Sequence, residues 1–249
     1  MYYIAFAIKV FSKVSMINRK SKNLCDVNSC FLCKGCLPEW LAAIELHKKN
    51  FEVKKGNRVF SEGDAVEGIY FVYQGTIKIH ERWDSDKDLI VRFVRPGGIF
   101  GIFGLGEDQK YSSSATALEH SIVCYVGLNF FESTLKVNPE LTRNLMHFFA
   151  NELQCSHKSM RDLAHMPVKA RIAQSFLMLR KQFGTDENGI LNVELSRQDL
   201  ASFSGSSYET LFKVATDFSK NKIIELTGRS MRILDELKLI EIVKQSNLQ

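Results

Sequence analysis

Four cysteines stand within twelve residues, at Cys25, Cys30, Cys33 and Cys36. Thiols crowded this closely along the chain are hard to join as disulfides, because a bridge needs a narrow Cα separation and facing β-carbons. The same crowding suits metal ligation in a reducing compartment: zinc and iron–sulfur clusters both take four thiolates. Cys30, Cys33 and Cys36 are spaced like part of a ferredoxin run, but no complete local four-cysteine signature ending in Cys-Pro is present. On the residues alone, zinc, an iron–sulfur cluster and unmetallated or redox-active thiols all stay open. Cys155 lies apart and reads as helix packing. The histidines form no ligand spacing, and His147 and His157 read as surface residues. No Ser/His/Asp, Cys/His or phosphate-loop arrangement occurs, so an enzyme is not expected.

A second constellation lies at 195–224. Leu195-Ser196-Arg197-Gln198-Asp199-Leu200-Ala201, then Gly205, then Ser206-Ser207-Tyr208-Glu209-Thr210-Leu211-Phe212-Lys213-Val214 reads as helix, turn, helix. Ser196 can cap the first helix with Asp199 behind it, and Ser206 or Ser207 can cap the second. Gly205 gives the backbone freedom a sharp turn needs. Leu211, Val214, Ala215 and Phe218 make an apolar stripe, while the first turn is small, polar and suited to a DNA major groove. Residues 220–226, 227–230 and 231–234 then read as strand, turn and strand, which makes a wing.

Other elements must position these two groups. The chain has 249 residues, 45% of them hydrophobic, enough for one large core or two modest ones. A net charge of +5 permits a polyanionic partner without requiring one. Residues 1–16 are apolar in flavour, but a charged start and a small-residue cleavage site are both missing, and Lys9 and Lys13 break any span. A disordered extension, or initiation at Met16, is expected there, with no membrane crossing anywhere. Residues 39–46 behind Pro38 read as a short helix. From 51 to about 126, short apolar runs broken by glycine turns predict a β-sandwich or roll. The runs are 59–60, 69–73, 76–80, 89–94 and 121–126, while 50–55 and other lysine-rich patches read as solvated faces. Residues 139–163 turn helical, with Leu141, Leu145, Phe148, Phe149, Leu153, Met160 and Leu163 near helical spacing. Packing on the β domain and a dimer contact are both open, the dimer being favoured because two-fold proteins suit two-half-site operators. Another helix follows Pro167 over 168–183, and 184–189 is a loop.

Together these motifs carry a resemblance. Lys55-Gly56, Val59-Phe60-Ser61-Glu62-Gly63-Asp64, Ile69-Tyr70-Phe71-Val72, Gly75-Thr76-Ile77-Lys78-Ile79 and Pro96-Gly97-Gly98-Ile99-Phe100-Gly101 resemble the cyclic-nucleotide-binding β-roll. Followed by a long helix and the segment at 195–201, the chain is similar to the CRP/FNR family of bacterial transcription regulators, from about Cys25 to its end. The resemblance implies an α+β fold: a sensory β-roll with its cysteine arm (25–138), a dimerisation helix (139–166) and a winged helix-turn-helix (167–249), after an extension at 1–24. Nucleotide-binding members carry a glutamate after Phe-Gly and an Arg-Ser pair for the phosphate. Here Ile102 and Tyr111-Ser112 occupy those places, so cyclic AMP is not expected.

The oxygen-sensing FNR-like branch, which carries a [4Fe-4S] cluster, fits better. Cys36-Leu37-Pro38 resembles its third N-terminal ligand, and 117–124 resembles the segment bearing its distant fourth, which puts Cys124 in the ligand set. Cys30 sits the expected distance before Cys36, the first cysteine is displaced to Cys25, and Cys33 is extra. The implied ligands are Cys30, Cys33, Cys36 and Cys124, with Cys25 able to replace Cys33. On residues alone, Cys124 is also an ordinary core cysteine.

The family's base-reading positions fall at Glu209, Phe212 and Lys213, beside Ser207. Glutamate can accept from cytosine N4 and lysine can reach guanine, but the bidentate guanine contact of arginine is lost. Ser206 to Glu209 also matches a capping box, and Phe212 could meet a thymine methyl or be core. The dimer helix has Ser156 where the branch has an acidic residue. Implied partners are double-stranded DNA, a second copy of the chain and RNA polymerase, in the cytoplasm. A regulator without a cluster and, more remotely, an iron–sulfur electron carrier are the alternatives.

Overall fold

A computed structural model describes residues 15–16, 26–84 and 87–246. Cys25, and all of the expected extension except Ser15–Met16, lie outside the described residues. Two contact units divide the chain: Met1–Ser85 with Val91–Asn151, and Asp86–Ile90 with Glu152–Gln249.

The first unit holds two antiparallel-built sheets. One has the order β1(Ser15–Met16), β2(Lys49–Val53), β9(Ser121–Gly127), β4(Gly68–Gln74), β7(Ile99–Phe100). The other runs β3(Arg58–Phe60), β8(Ser114–Ala117), β5(Ile77–Asp84), β6(Lys87–Val94). Side chains alternate across a strand, and here both faces of β4 and β9 are buried. Tyr70, Val72 and Val123 point into the roll with Phe51, Phe60 and Phe100. Ile69, Phe71, Cys124 and Val126 point outward into a second core. That outer core is roofed by α1(Phe31–Lys34), α2(Leu41–His47) behind a 3-10 turn at Pro38–Trp40, α3(Leu128–Val137) and the first turns of α4(Pro139–His165).

Several expectations need correction. The stretch at 50–55 is no solvated face: Phe51 and Val53 are each 1% exposed on β2, and only their neighbours carry the polar residues. β7, β8 and α3 are additional elements. The long helix divides its apolar residues between two duties. Leu141 and Leu145 are buried against the β-roll, whereas Met146, Phe149, Leu153, Met160 and Leu163 are exposed. Cys155 is exposed rather than packed, and His147 and His157 are exposed as expected.

The second unit contains α5(Val168–Phe183), α6(Arg197–Ser204), α7(Tyr208–Lys220), the hairpin β10(Ile224–Thr227) and β11(Ser230–Ile233), and α8(Glu236–Gln245). The wing's first strand starts at Ile224, because α7 runs on to Lys220 and the chain turns through Lys222 at φ 55°. Thr227 pairs with Ser230, leaving Gly228 and Arg229 as the loop, and Gly228 takes φ 58° as its first position. α8, which packs on α5, is a further element that the sequence pattern does not announce. Among the described residues no helix is long and apolar enough to cross a membrane.

Two-sided burial makes the outer core a stability determinant. Phe71→Ala, at a position 1% exposed, should cost about 3–5 kcal/mol in urea unfolding of the β-roll. Val91→Ala, at 44% exposure on β6, should stay within about 0.5 kcal/mol. Equal costs for the two would contradict this assignment of the core.

Candidate functional site

Two sites emerge, one in each unit. The first is the cysteine arm. Cys30 is the N-cap of α1, with backbone in the extended region, and Gly35 ends the helix. Phe31 donates its N–H to the Gly97 carbonyl at 2.8 Å, which fastens the arm to the turn before β7. At the other end, the Leu37 N–H reaches Asn138 Oδ1 at 2.7 Å and Trp40 Nε1 donates to Thr134 Oγ1 at 3.1 Å. Gly35 lies flat on α4: a β-carbon there would stand 2.8 Å from the Leu141 Cα. Phe31 meets Phe148 edge-on at 5.6 Å.

This docking brings Cys30, Cys33 and Cys124 into one buried apolar cluster with Leu32, Ile44, Phe71 and Ile102, and Cys36 packs at its margin. Cys124 lies on the central strand β9, in register with Asn50 on β2 and Phe71 on β4. Burial, then the charge of Cys30, pushes the Cys36 thiol up to about 11, so at neutral pH it holds its proton. The donor set therefore matches an iron–sulfur cluster in type and number. Its gathering does not: among the described residues, no three His, Cys, Asp or Glu side chains are grouped to hold a metal ion. Cys25 lies outside the described residues.

Next to this core lie the two positions at which the sequence departs from the nucleotide-binding pattern, Ile102 and Tyr111. Ile102 is fully buried and belongs to the cysteine core. Tyr111 is 4% exposed, stacks on Phe60 at 3.8 Å and donates to the Gly68 carbonyl at 2.8 Å. Burial and the neighbouring Tyr125 hold its phenol well above the usual tyrosine range. The cavity left between Phe60, Phe100, Gly101 and Tyr111 is only about 10 Å³. Arg92, not apparent from the motif, reaches its wall, where it donates to the Ile99 carbonyl and lies over Phe103 and Phe148 at 5.5 and 5.1 Å.

The second site is the helix-turn-helix. Ser196 caps α6, accepting from the Asp199 N–H at 3.0 Å, and Gly205 takes φ 60° in the turn. Ser207 is the cap of α7, accepting from the Thr210 N–H at 3.2 Å while their hydroxyls pair at 3.0 Å. The N-cap is therefore Ser207 rather than Ser206, with Thr210 as the residue whose N–H it caps. Leu211, Ala215 and Phe218 form the buried face of α7. Ser207, Glu209, Phe212 and Lys213 all lie on the exposed face, and Phe212 is 60% exposed, so it is not core. Tyr208, one turn before Phe212, is 46% exposed and joins it in an apolar stripe that the motif alone did not single out. In the wing, Arg232 is committed to structure, donating from Nε to the Asn188 carbonyl at 2.6 Å.

Comparison with known proteins places the chain in a family. Residues 50–138 match the cyclic nucleotide-binding domain, and residues 170–242 match the Crp-like helix-turn-helix domain. The chain is 27% identical over 208 residues to a CRP-like cAMP-activated global transcriptional regulator of Mycobacterium tuberculosis, covering 83% of this chain and 93% of that one. It is 28% identical over 232 residues to the transcriptional activator protein Anr of Pseudomonas protegens, covering 90% and 94%. Its fold is similar to that of FixK2 from Bradyrhizobium japonicum, with a TM-score of 0.69 at 20% identity over 78% of this chain and 96% of that one. Helix-turn-helix regulators of this kind bind DNA as dimers and are not enzymes. With its cyclic-nucleotide-binding-like β-roll and Crp-like helix-turn-helix in that order, the chain belongs to the CRP/FNR family of transcription regulators.

Proposed function

We propose that this regulator is a cytoplasmic homodimer that senses oxygen or redox state through a [4Fe-4S] cluster held by Cys30, Cys33, Cys36 and Cys124. The observation that carries the reading is the shared burial of arm and β9 cysteines in one apolar core, although they are far apart in sequence. Thiolate sulfur suits iron–sulfur clusters, and four are needed. Bound there, the cluster would supply an oxidant-sensitive centre whose loss frees the arm's thiols. The chain's own part is to hold the arm against Asn138 and Leu141 and to keep water from the sulfurs. Domain limits of 25–138, 139–166 and 167–249 follow this division of labour. The dimer seam is α4, whose exposed Met146, Phe149, Leu153, Met160 and Leu163 recur at heptad positions interrupted by Ser156. RNA polymerase is the further partner of a regulator of this kind.

Cyclic nucleotide is not the signal in this reading. A cavity of about 10 Å³ compares with the ~300–1,000 Å³ of ordinary small-molecule pockets, and Ile102 offers no ribose partner. The name of the Mycobacterium tuberculosis relative describes that protein; in this chain Ile102 and Tyr111 stand where the resemblance expects a glutamate and an arginine. Calorimetry should show no cyclic AMP binding at micromolar concentrations, and a cyclic AMP-dependent gain in DNA affinity would reverse this conclusion.

The cluster is tested by its spectrum. Protein purified without oxygen should be brown, with iron and sulfide near four per chain, and Cys124→Ser should lose both. Zinc in place of iron, or equal cluster content in the variant, would rule out this ligand set. Retention of the cluster by Cys25→Ser alongside its loss in Cys33→Ser would separate the two arm candidates.

On DNA, Glu209 and Lys213 are the polar base readers and Phe212 the apolar one. Alanine at Glu209 or Lys213 should relax one base position per half-site by about 1–3 kcal/mol. Deoxyuridine in place of thymidine removes only the C5 methyl. It should weaken the wild type several-fold at one position, and leave Phe212→Ala indifferent. Equal losses on specific and random DNA would make these residues phosphate contacts instead.

A further inference from the structure

Proline ends α4: the chain turns at Met166-Pro167, and the last carbonyls of that helix lose their partners in the next turn. Arg171 stands one turn into α5, where its side chain can point back at that end. Its Nη1 donates to the Met166 carbonyl at 3.0 Å and to the Leu163 carbonyl at 3.4 Å. The same guanidinium turns its other edge to the helix-turn-helix, with Nη2 donating to the Gly205 carbonyl at 2.9 Å and Nε to the Ser204 carbonyl at 3.3 Å. One half-buried cation thus closes the C-terminal ends of both α4 and α6, where helix dipoles favour positive charge.

Leu163 joins the same two elements through packing. It is one of the exposed heptad residues of α4, and its methyl lies 2.5 Å from where a β-carbon on Gly205 would stand. Two outer ties complete the joint. Gln174 donates to Asp162 at 3.0 Å, and Lys169 pairs with Asp217 of α7 at 2.8 Å while lying over Phe218.

We infer that Arg171 is a positioning residue for operator binding: it locks the helix-turn-helix to the end of α4 and so fixes the half-site spacing that a dimer accepts. It touches no DNA-facing side chain and lies off the heptad face. Its replacement therefore leaves the reading surface and the dimer contact in place but lets the two recognition helices vary their separation. A fork with five donors can serve four carbonyls at once; an ammonium on a flexible stem cannot hold the same plane, and an amide has too few donors. The inference rests on the α4 dimer proposed above.

The test uses the full chain, anaerobically prepared, as wild type, Arg171→Gln and Arg171→Lys. Each is titrated onto a palindromic operator selected with the wild type, onto the same operator with one or two base pairs added between half-sites, and onto a single half-site. Wild type should lose about tenfold or more when the spacer changes, since unseating one half-site forfeits base contacts each worth that much. Arg171→Gln should keep its half-site affinity within about twofold, bind the selected operator more weakly, and discriminate spacers by less than about threefold. Arg171→Lys should fall between. Full spacer discrimination by a folded Arg171→Gln overturns the inference. Should Arg171→Gln lose half-site binding through misfolding, full discrimination by Arg171→Lys overturns it equally. Sedimentation separates the two levels of argument: a monomeric wild type defeats the dimer reading itself, and the inference falls with it, whereas a dimer with indifferent spacer binding defeats Arg171 alone.

Discussion

The structure depends on two strands that are apolar on both faces. β4 and β9 fill the roll with one set of alternating side chains and present Ile69, Phe71, Cys124 and Val126 on the other. Each large side chain left in water there would forgo about 1.5–3 kcal/mol of burial. Something must therefore cover the outer face, and the chain uses the cysteine arm, α3 and the root of α4. The cysteine arm and the start of α4 are thus packed on the same sheet surface by the ordinary demands of a core. The polar ties at Asn138 and Thr134 then fix how they lie, because both residues are buried and can satisfy few other partners.

Legibility in the sequence follows the same physics. Strands whose residues are apolar on both faces, such as 69–73 and 121–126, stand out as continuous runs. β2 does not, since Lys49, Asn50 and Glu52 alternate with Phe51 and Val53, and lysines draw the eye to the solvent side of a half-buried strand. β8 hides because Ser114, Ala115, Thr116 and Ala117 are small, and smallness rather than hydropathy is what its crowded position requires. The helix-turn-helix was readable through its caps and glycine, each of which has a local mechanism. Arg171 was not, because its four acceptors belong to elements whose meeting only the fold decides. Of the cysteine site, the crowding of thiols was legible directly and Cys124 only through resemblance, because nothing local marks a strand cysteine as facing a distant arm.

The recognition helix breaks the pattern that organises the rest of the fold. Its buried face is complete with Leu211, Ala215 and Phe218, yet Tyr208 and Phe212 face solvent four residues apart. Exposed aromatic residues neighbouring one another on a surface helix add nothing to the core, and they favour association in water. Such local violations concentrate where a surface serves a partner. A thymine methyl is an apolar group presented in the major groove, and it is the contact proposed above for Phe212.

Charge separates the two ends of α7 in the same spirit. The first turn carries Ser207, Glu209 and Thr210, and the Ser207 hydroxyl caps the Thr210 N–H while donating to the Thr210 hydroxyl. Further along, Asp217 is held below the usual carboxylate range by hydrogen bonding to Lys169, and by that lysine's charge. Its negative charge, which a polyanion would repel, is thereby paired away from the reading turn. Arg232 is likewise withdrawn from the wing by the Asn188 carbonyl, which leaves Arg229 at the hairpin tip as the wing's outward cation. The net charge of +5 is thus less informative than its placement. Cations near the joint are spent on helix ends and carboxylates, whereas Lys213 on α7 and Arg229 at the wing tip stand exposed.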